Sequence, residues 1–319
     1  MSIKDVILSN PPMGEEKPMI YYRRIGEMMN TTAHQVKKAY LLLCKKGLMT
    51  FVKKGENKQT KARVLLLDIE TAPIRSYTWD VWKQNVNPVQ IITPWNMISW
   101  AAKWLFEPDI YSDVLTSEEA VKGDDERISK TLWQYIEEAD VIIAHNGIKF
   151  DIPKINTRFF MHGLNPPAPY QTIDTCLVAR KKFGFEHNKL DYLAERMGLS
   201  RKIDTNFQLW IDCMAGDKKA LHEMVTYNKQ DVLILEEVYV KMRAWIPAHP
   251  NMGLFVDAEL GELICPICGS THVEYAGYYS TPVNQYRSFR CLDCGAIGRS
   301  RNTDTKISKK RQLLYSSAR

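Results

Sequence analysis

Through the middle of the chain, short apolar runs alternate with stretches whose apolar residues recur every three to four positions. Val64 to Leu67 is unbroken and apolar, the pattern of a strand buried on both faces. Residues 96–106 and 109–115 read as strands beside it, and Val141 to Ala144 as another buried strand. Between them, 124–138 has helical spacing with Ile128, Leu132, Trp133 and Ile136 inward. Further helices are expected over about 152–162, 188–197 and 218–245, with the Pro-rich loop 165–169 between the first two. This order predicts an α/β fold over 62–250, a mixed sheet flanked by helices with its site at strand ends. Trp95, Trp100 and Trp104 in this region read chiefly as core, with base stacking as the other reading.

The two ends carry different patterns. Residues 21–29 and 33–46 have helical spacing, separated by the turn Asn30-Thr31-Thr32 and stopped by Gly47. Strands over 48–53 and 61–67 would then form a Lys-rich hairpin through Gly55-Glu56-Asn57. Residues 1–61 thus resemble a small winged helix-turn-helix module. That resemblance implies that Thr31, Thr32, His34, Gln35, Lys37 and Lys38 face DNA, with Lys53 and Lys54 in the wing. A helical packing or dimerisation module is the alternative.

Near the other end stand Cys265-Pro266-Ile267-Cys268 and Cys291-Leu292-Asp293-Cys294, with 22 residues between the pairs. Each pair is followed by glycine, which lets the backbone turn tightly under the thiolates. The pattern resembles a zinc ribbon over 258–302, one structural Zn²⁺ held by Cys265, Cys268, Cys291 and Cys294. Arg287 and Arg290 lie among aromatic residues between the pairs and are candidate nucleic-acid contacts. Residues 303–319 form a basic tail. Cys44, Cys176 and Cys213 are isolated and read as small buried hydrophobes.

Charge sharpens this division. The net charge of +6 comprises +8 in residues 1–63 and +7 in residues 286–319, leaving −9 between them. An acidic centre between basic flanks suits a cation-requiring core held on a polyanion. No apolar run is long enough to span a membrane, and the N-terminus lacks a secretory pattern, so a cytoplasmic location is expected.

The acidic centre contains a specific constellation. Asp68 and Glu70 end the first apolar strand two positions apart, so both project to one face. Asp151 follows the strand at 141–144, and Tyr227 and Asp231 lie one helical turn apart. Carboxylates gathered at strand ends repel one another unless cations lie between them. Oxygen ligands favour Mg²⁺ or Mn²⁺ over softer metals.

These motifs resemble the DnaQ-like, or DEDD, exonuclease superfamily on an RNase H-like fold. The nearest likeness is to predicted exonucleases related to the proofreading domain of family B DNA polymerases. Asp68-Ile69-Glu70-Thr71 matches its first motif, Asn146 through Phe150-Asp151 its second, and Tyr227-x-x-x-Asp231 its third in the tyrosine form. The histidine form would need His where Thr226 stands. The resemblance implies two Mg²⁺ or Mn²⁺ ions on Asp68, Glu70, Asp151 and Asp231, with Tyr227 positioning the attacking water. It also implies 3′→5′ cleavage of DNA, single-stranded or at 3′ ends; with a winged helix and a zinc ribbon around such a core, the chain resembles an enzyme of phage-type replication, recombination or repair, with replication or recombination proteins as possible partners. Thr71, Asn146 and Phe150 would contact the strand. An RNA exonuclease or structure-selective endonuclease on the same site is the first alternative. A non-catalytic nucleic-acid-binding accessory protein is the second, and a zinc-linked transcription regulator the third.

Overall fold

The computed structural model describes residues 61–259 and 261–314, together with 3, 6, 7, 24, 25, 28–31, 35, 36 and 39. The chain divides into two compact units, Met1–Gln59 and Thr60–Arg319. In the first unit Val6, Ile7, Ile25 and Val36 form a buried cluster, with Ile3, Met29 and Ala39 against it. The Thr31 hydroxyl donates to the exposed Gln35 side chain. Thr32, His34, Lys37, Lys38, Lys53 and Lys54 lie outside the described residues, as does the expected strand at 48–53.

The expected second strand of that hairpin is corrected. Residues 64–67 belong instead to β1 (Val64–Thr71), the central strand of the larger unit. A run apolar at every position would waste half its side chains on a solvated wing, whereas a central strand buries both faces. A two-stranded arm, β2 (Arg75–Ser76) and β3 (Ile91–Thr93), follows. The chain then forms β4 (Met97–Trp104) and β5 (Ile110–Val114), both close to expectation. Helices α1 (Ser117–Lys122) and α2 (Glu126–Glu137) lead to β6 (Val141–Ala144) and α3 (Asp151–Met161). Next come β7 (Gln171–Asp174), α4 (Thr175–Lys182), α5 (Leu190–Arg196), α6 (Phe207–Met214) and the long α7 (Lys218–Met242).

The main sheet has the order β5-β4-β1-β6-β7. β1 runs antiparallel to β4 and parallel to β6, and β6 runs parallel to β7. This is a mixed sheet flanked by helices, an RNase H-like α/β fold. Leu65, Leu67 and Ile69 pack with Ile128, Leu132, Ile155 and Phe159 of α2 and α3. Val64 and Leu66 pack on the opposite face with Leu193, Val232, Leu235 and Val238 of α5 and α7. Asp68 and Glu70 continue that second register, so the strand aims both carboxylates toward α7. Lys103 of β4 pairs with Glu236 of α7 at 2.7 Å and ties helix to sheet in a nearly buried bridge.

Trp100 and Trp104 are core, as expected, with 2% and 4% exposure. Trp95 is not: it is only partly buried and carries Lys154 against its ring. The C-terminal part contains β8 (Val273–Ser280), β9 (Gln285–Cys291) and β10 (Ile297–Arg299), a three-stranded sheet with β9 central, then a short helix α8 (Ile307–Lys310). Among the described residues, no helix is long and apolar enough to cross a membrane.

Candidate active site

Each carboxylate is delivered by a different local device. Asp68 and Glu70 stand near the C-terminal end of β1, opposite Ala101 and Ser99 of β4. Asp151 is the first residue of α3, reached from β6 through a tight turn. In that turn Asn146 takes a left-handed conformation (φ 64°), which asparagine tolerates better than most residues. Gly147 passes so close to Ala144 that an added Cβ would sit 2.3 Å from the alanine methyl. Asp174 holds the turn from outside, its carboxylate accepting from Asn146 N at 3.0 Å and Ile148 N at 3.2 Å. The same carboxylate caps α4 through Cys176 N and Leu177 N.

Tyr227 and Asp231 lie one turn apart on α7, which passes across the sheet at Asp68. Carboxylate oxygens of Asp68, Glu70 and Asp231 all lie within 4.8 Å of one another. Asp151 joins them through its Oδ1, which accepts from Ile69 N at 3.2 Å, the peptide between Asp68 and Glu70. All five expected residues line one cleft of about 950 Å³, with Asn146 and Phe150 at its wall. Thr71, the last residue of β1, lines an adjoining groove instead.

Crowding shows in the electrostatics. Burial, then the charges of Asp151, Asp231 and Glu70, hold Asp68 well above the usual carboxylate range. Burial and Asp231 push Glu70 up to about 7. Burial pushes Asp151 to about 7 despite the Ile69 amide. Burial raises Asp231 as well, opposed by the charge and hydrogen bond of Lys202. Burial and Asp231 push the Tyr227 phenol up to about 12, so at neutral pH it is a donor.

The residues fit divalent cations on one direct observation. Asp231 Oδ1 is buried with no hydrogen-bond partner, while its Oδ2 meets Lys202 Nζ at 2.6 Å. A buried carboxylate oxygen left bare is costly unless something positive completes it. The hard all-oxygen donor set suits Mg²⁺ or Mn²⁺.

Sequence reasoning missed four members of this site. Asn228 donates from its amide to Asp68 Oδ2 at 2.5 Å, and its carbonyl accepts from Ser99 Oγ at 3.1 Å. Lys202, from the irregular segment after α5, reaches Asp231 and stands 4.5 Å from the centre of the Tyr227 ring. The Trp210 side chain lowers the Glu70 carboxyl slightly against the effect of burial and packs edge-on to Tyr227. Asp174 had a usable signal, since Asp-Thr before Cys-Leu is an N-cap pattern. Asn228 and Lys202 carry none. His145 is satisfied by Thr175 and by the Asn188 carbonyl, both at 2.8 Å.

The four C-terminal cysteines also converge. All four Sγ atoms lie within 4.8 Å of one another, Cys265–Cys294 at 3.7 Å and Cys268–Cys291 at 3.6 Å. Tetrahedral sulfurs about 2.3 Å from a metal stand roughly 3.8 Å apart, so the spacing fits a thiolate metal site. Gly269 and Gly295 take φ of 76° and 75°, the left-handed turn each knuckle requires. Arg287 and Arg290 are exposed, but strand alternation puts them on opposite faces of β9, and Arg287 pairs with Asp304 at 3.0 Å. Cys176 and Cys213 are buried, as expected of isolated cysteines.

Fold and site together define an RNase H-like domain with a carboxylate cluster at its strand ends. Residues 110–243 match the family model described as the RNase_H superfamily. Among solved structures, the chain is similar to the family B DNA polymerase of the hyperthermophilic archaeon Pyrobaculum calidifontis. The two are 17% identical with a TM-score of 0.41, over 58% of this chain and 26% of the polymerase. The chain thus spans about a quarter of that polymerase's length. No curated protein matches it.

Proposed function

We propose that this protein is a metal-dependent nuclease that hydrolyses phosphodiester bonds of DNA, acting as a 3′→5′ exonuclease of the tyrosine DEDD form. The observation that carries the reading is the cluster of Asp68, Glu70 and Asp231 oxygens within 4.8 Å, with a buried Asp231 oxygen lacking a partner. Two Mg²⁺ or Mn²⁺ ions held by Asp68, Glu70, Asp151 and Asp231 would supply Lewis acidity and shield charge on the phosphoryl and leaving oxygens.

The chain's own residues would do the rest. Tyr227, kept protonated by burial and by Asp231, would orient the attacking water by hydrogen bonding. Asn228 would hold the Asp68 carboxylate in one rotamer. Asn146, Phe150 and Thr71 would position the strand end. A Zn²⁺ ion on Cys265, Cys268, Cys291 and Cys294 would be structural, since four thiolates leave no open position. The N-terminal unit, with Thr32, Gln35, Lys37, Lys38, Lys53 and Lys54, would add DNA affinity, and Arg287 or Arg290 would extend it. With that chemistry we propose a role in replication, recombination or repair.

The test is a gel assay of the full chain on 5′-labelled and 3′-labelled single-stranded and duplex DNA and RNA, with Mg²⁺, Mn²⁺ or EDTA. A metal-dependent ladder from 5′-labelled DNA, absent with Asp68→Ala, is expected. Undiminished cleavage by Asp68→Ala and Asp231→Ala would sink the assignment.

A further inference from the structure

Beside the carboxylate cleft lies a second groove, of about 300 Å³, lined by Thr71, Ile74, Trp95, Lys154, Phe207 and Trp210 among others. That volume stands at the low end of the roughly 300–1,000 Å³ typical of small-molecule sites. Its walls are aromatic, and they remain accessible: Phe207 is 64% exposed and Ile74 49%. We infer that this groove is a stacking subsite for one unpaired nucleotide of the strand whose scissile phosphate lies at the carboxylates. The inference rests on the nuclease reading and names the groove residues that would hold one base of its strand.

Three observations carry it. The first is continuity with the cleft. Thr71 is the residue after Glu70, and Trp210 forms a groove wall while its ring packs edge-on, 6.0 Å between centres, against Tyr227 of the main cleft. Phe150 of the main cleft lies 5.0 Å from Lys154 Nζ, which lines the groove. A chain leaving the carboxylates over Phe150 therefore arrives at Trp95.

The second is chemistry. Aromatic faces bind any nucleobase, because every base presents a π-face. Trp95 is the one tryptophan of the 95, 100 and 104 set not packed into the core.

The third is a cation on the ring. Lys154 Nζ sits 3.8 Å from the centre of the Trp95 ring and feels the charge of Asp151 one helical turn away, without forming an ion pair with a described carboxylate. Arg158, 5.6 Å from the same ring, is committed to the buried Asp125. An ammonium resting on a ring gains less than one in a charge-assisted bond to phosphate. An arriving nucleotide can therefore take the ring while Lys154 turns to its phosphate.

The experiment uses the full chain carrying Asp68→Asn, so that oligonucleotides are not cut, and reads binding of fluorescein-labelled dT16 by anisotropy. Adding Trp95→Ala should weaken dT16 binding roughly tenfold, the size of one lost stacking contact. Trp95→Phe should restore most of it. The loss should vanish on blunt duplex, whose bases are paired and cannot enter the groove. Lys154→Ala should flatten the salt dependence by the equivalent of roughly one phosphate. Phe207→Ala, at an exposed position that cannot unfold the core, should weaken dT16 several-fold and guards against misfolding of the Trp95 variant.

Unchanged dT16 affinity in both Trp95→Ala and Phe207→Ala overturns the groove, as does an equal loss on blunt duplex. Cleavage of dT16 by the unsubstituted chain with Mn²⁺ is scored separately. Its absence overturns the nuclease reading, whereas cleavage without any binding loss in the groove variants overturns the groove alone.

Discussion

The amide of Asn228 donates to Asp68 Oδ2 at 2.5 Å while its carbonyl accepts from the buried Ser99 hydroxyl. Ser99 is opposite Glu70 on the neighbouring strand, so these two hydrogen bonds tie helix α7 to Asp68 on β1 and to β4 beside Glu70. Asn228→Ala should leave Asp68 free to change rotamer and leave the Ser99 hydroxyl unpaired. Loss of such a supporting partner typically costs roughly 10–100-fold in activity or metal affinity. We expect kcat to fall in that range and the Mn²⁺ concentration for half-maximal rate to rise. A titration of rate against Mn²⁺ checks both, and an unchanged curve would reduce Asn228 to a packing residue.

Glu70 and Asp151 have folded-state pKa values of about 7, against ordinary values of 4.5 and 3.8. Burial is the first cause for both, reinforced by Asp231 at Glu70 and by Asp174 at Asp151. A raised folded pKa means the folded chain binds more protons than the unfolded chain across that interval. Stability therefore falls as pH rises from about 4 to above 7, where the advantage is gone. In EDTA, Tm should decline over this window, and Mg²⁺ or Mn²⁺ should reverse the decline by binding only the folded cluster. Asp68→Asn removes one of the repelling charges and should raise the metal-free Tm at pH 8. Differential scanning fluorimetry across pH, with and without metal, measures all three. A metal-free Tm that climbs from pH 5 to pH 8 would contradict the crowded site.

Gly147 is required by close approach rather than by a left-handed backbone. A methyl at this position would sit 2.3 Å from Ala144 Cβ, inside β6. Gly147→Ala should destabilise the fold by about 2 kcal/mol through overpacking. It should also displace the turn that delivers Asp151, so activity should fall more than the loss of folded protein explains. Urea denaturation alongside specific activity separates the two effects.

Replacing Cys268 or Cys294 by serine opens the four-sulfur cluster. Bound zinc, measured by elemental analysis, should fall from about one per chain toward none, because a structural site needs all four ligands. The ribbon's sheet presents mostly exposed side chains and a small core of Cys265, Cys291 and Ala296. It should therefore become protease-sensitive within 258–302, while the RNase H-like sheet stays folded. Full resistance to limited proteolysis in a zinc-free variant would show that the ribbon folds without metal.

What local sequence determines here is periodicity and spacing. Val64 to Leu67 and Val141 to Ala144 announce central strands because every position is apolar, and Asp68 with Glu70 must share a face because strand alternation has period two. The four-residue interval from Tyr227 to Asp231 and the two Cys-x-x-Cys knuckles are equally local, and the structure brings both sets together. β7 and α4 were not legible, because Gln171-Thr172-Ile173-Asp174 is short and half polar and α4 has little amphipathic contrast. The run at 61–67 was ambiguous for a related reason: strand pattern is local, but the choice of partner strand is not. Only the tertiary structure gave 64–67 to the central sheet and set Trp95 apart from Trp100 and Trp104. Only the tertiary structure brought Asn228 to Asp68 across 160 residues and Lys202 to Asp231. Such contacts depend on the parallel pairing of β1 with β6 and on the path of α7 over the sheet, and no short-range pattern encodes either.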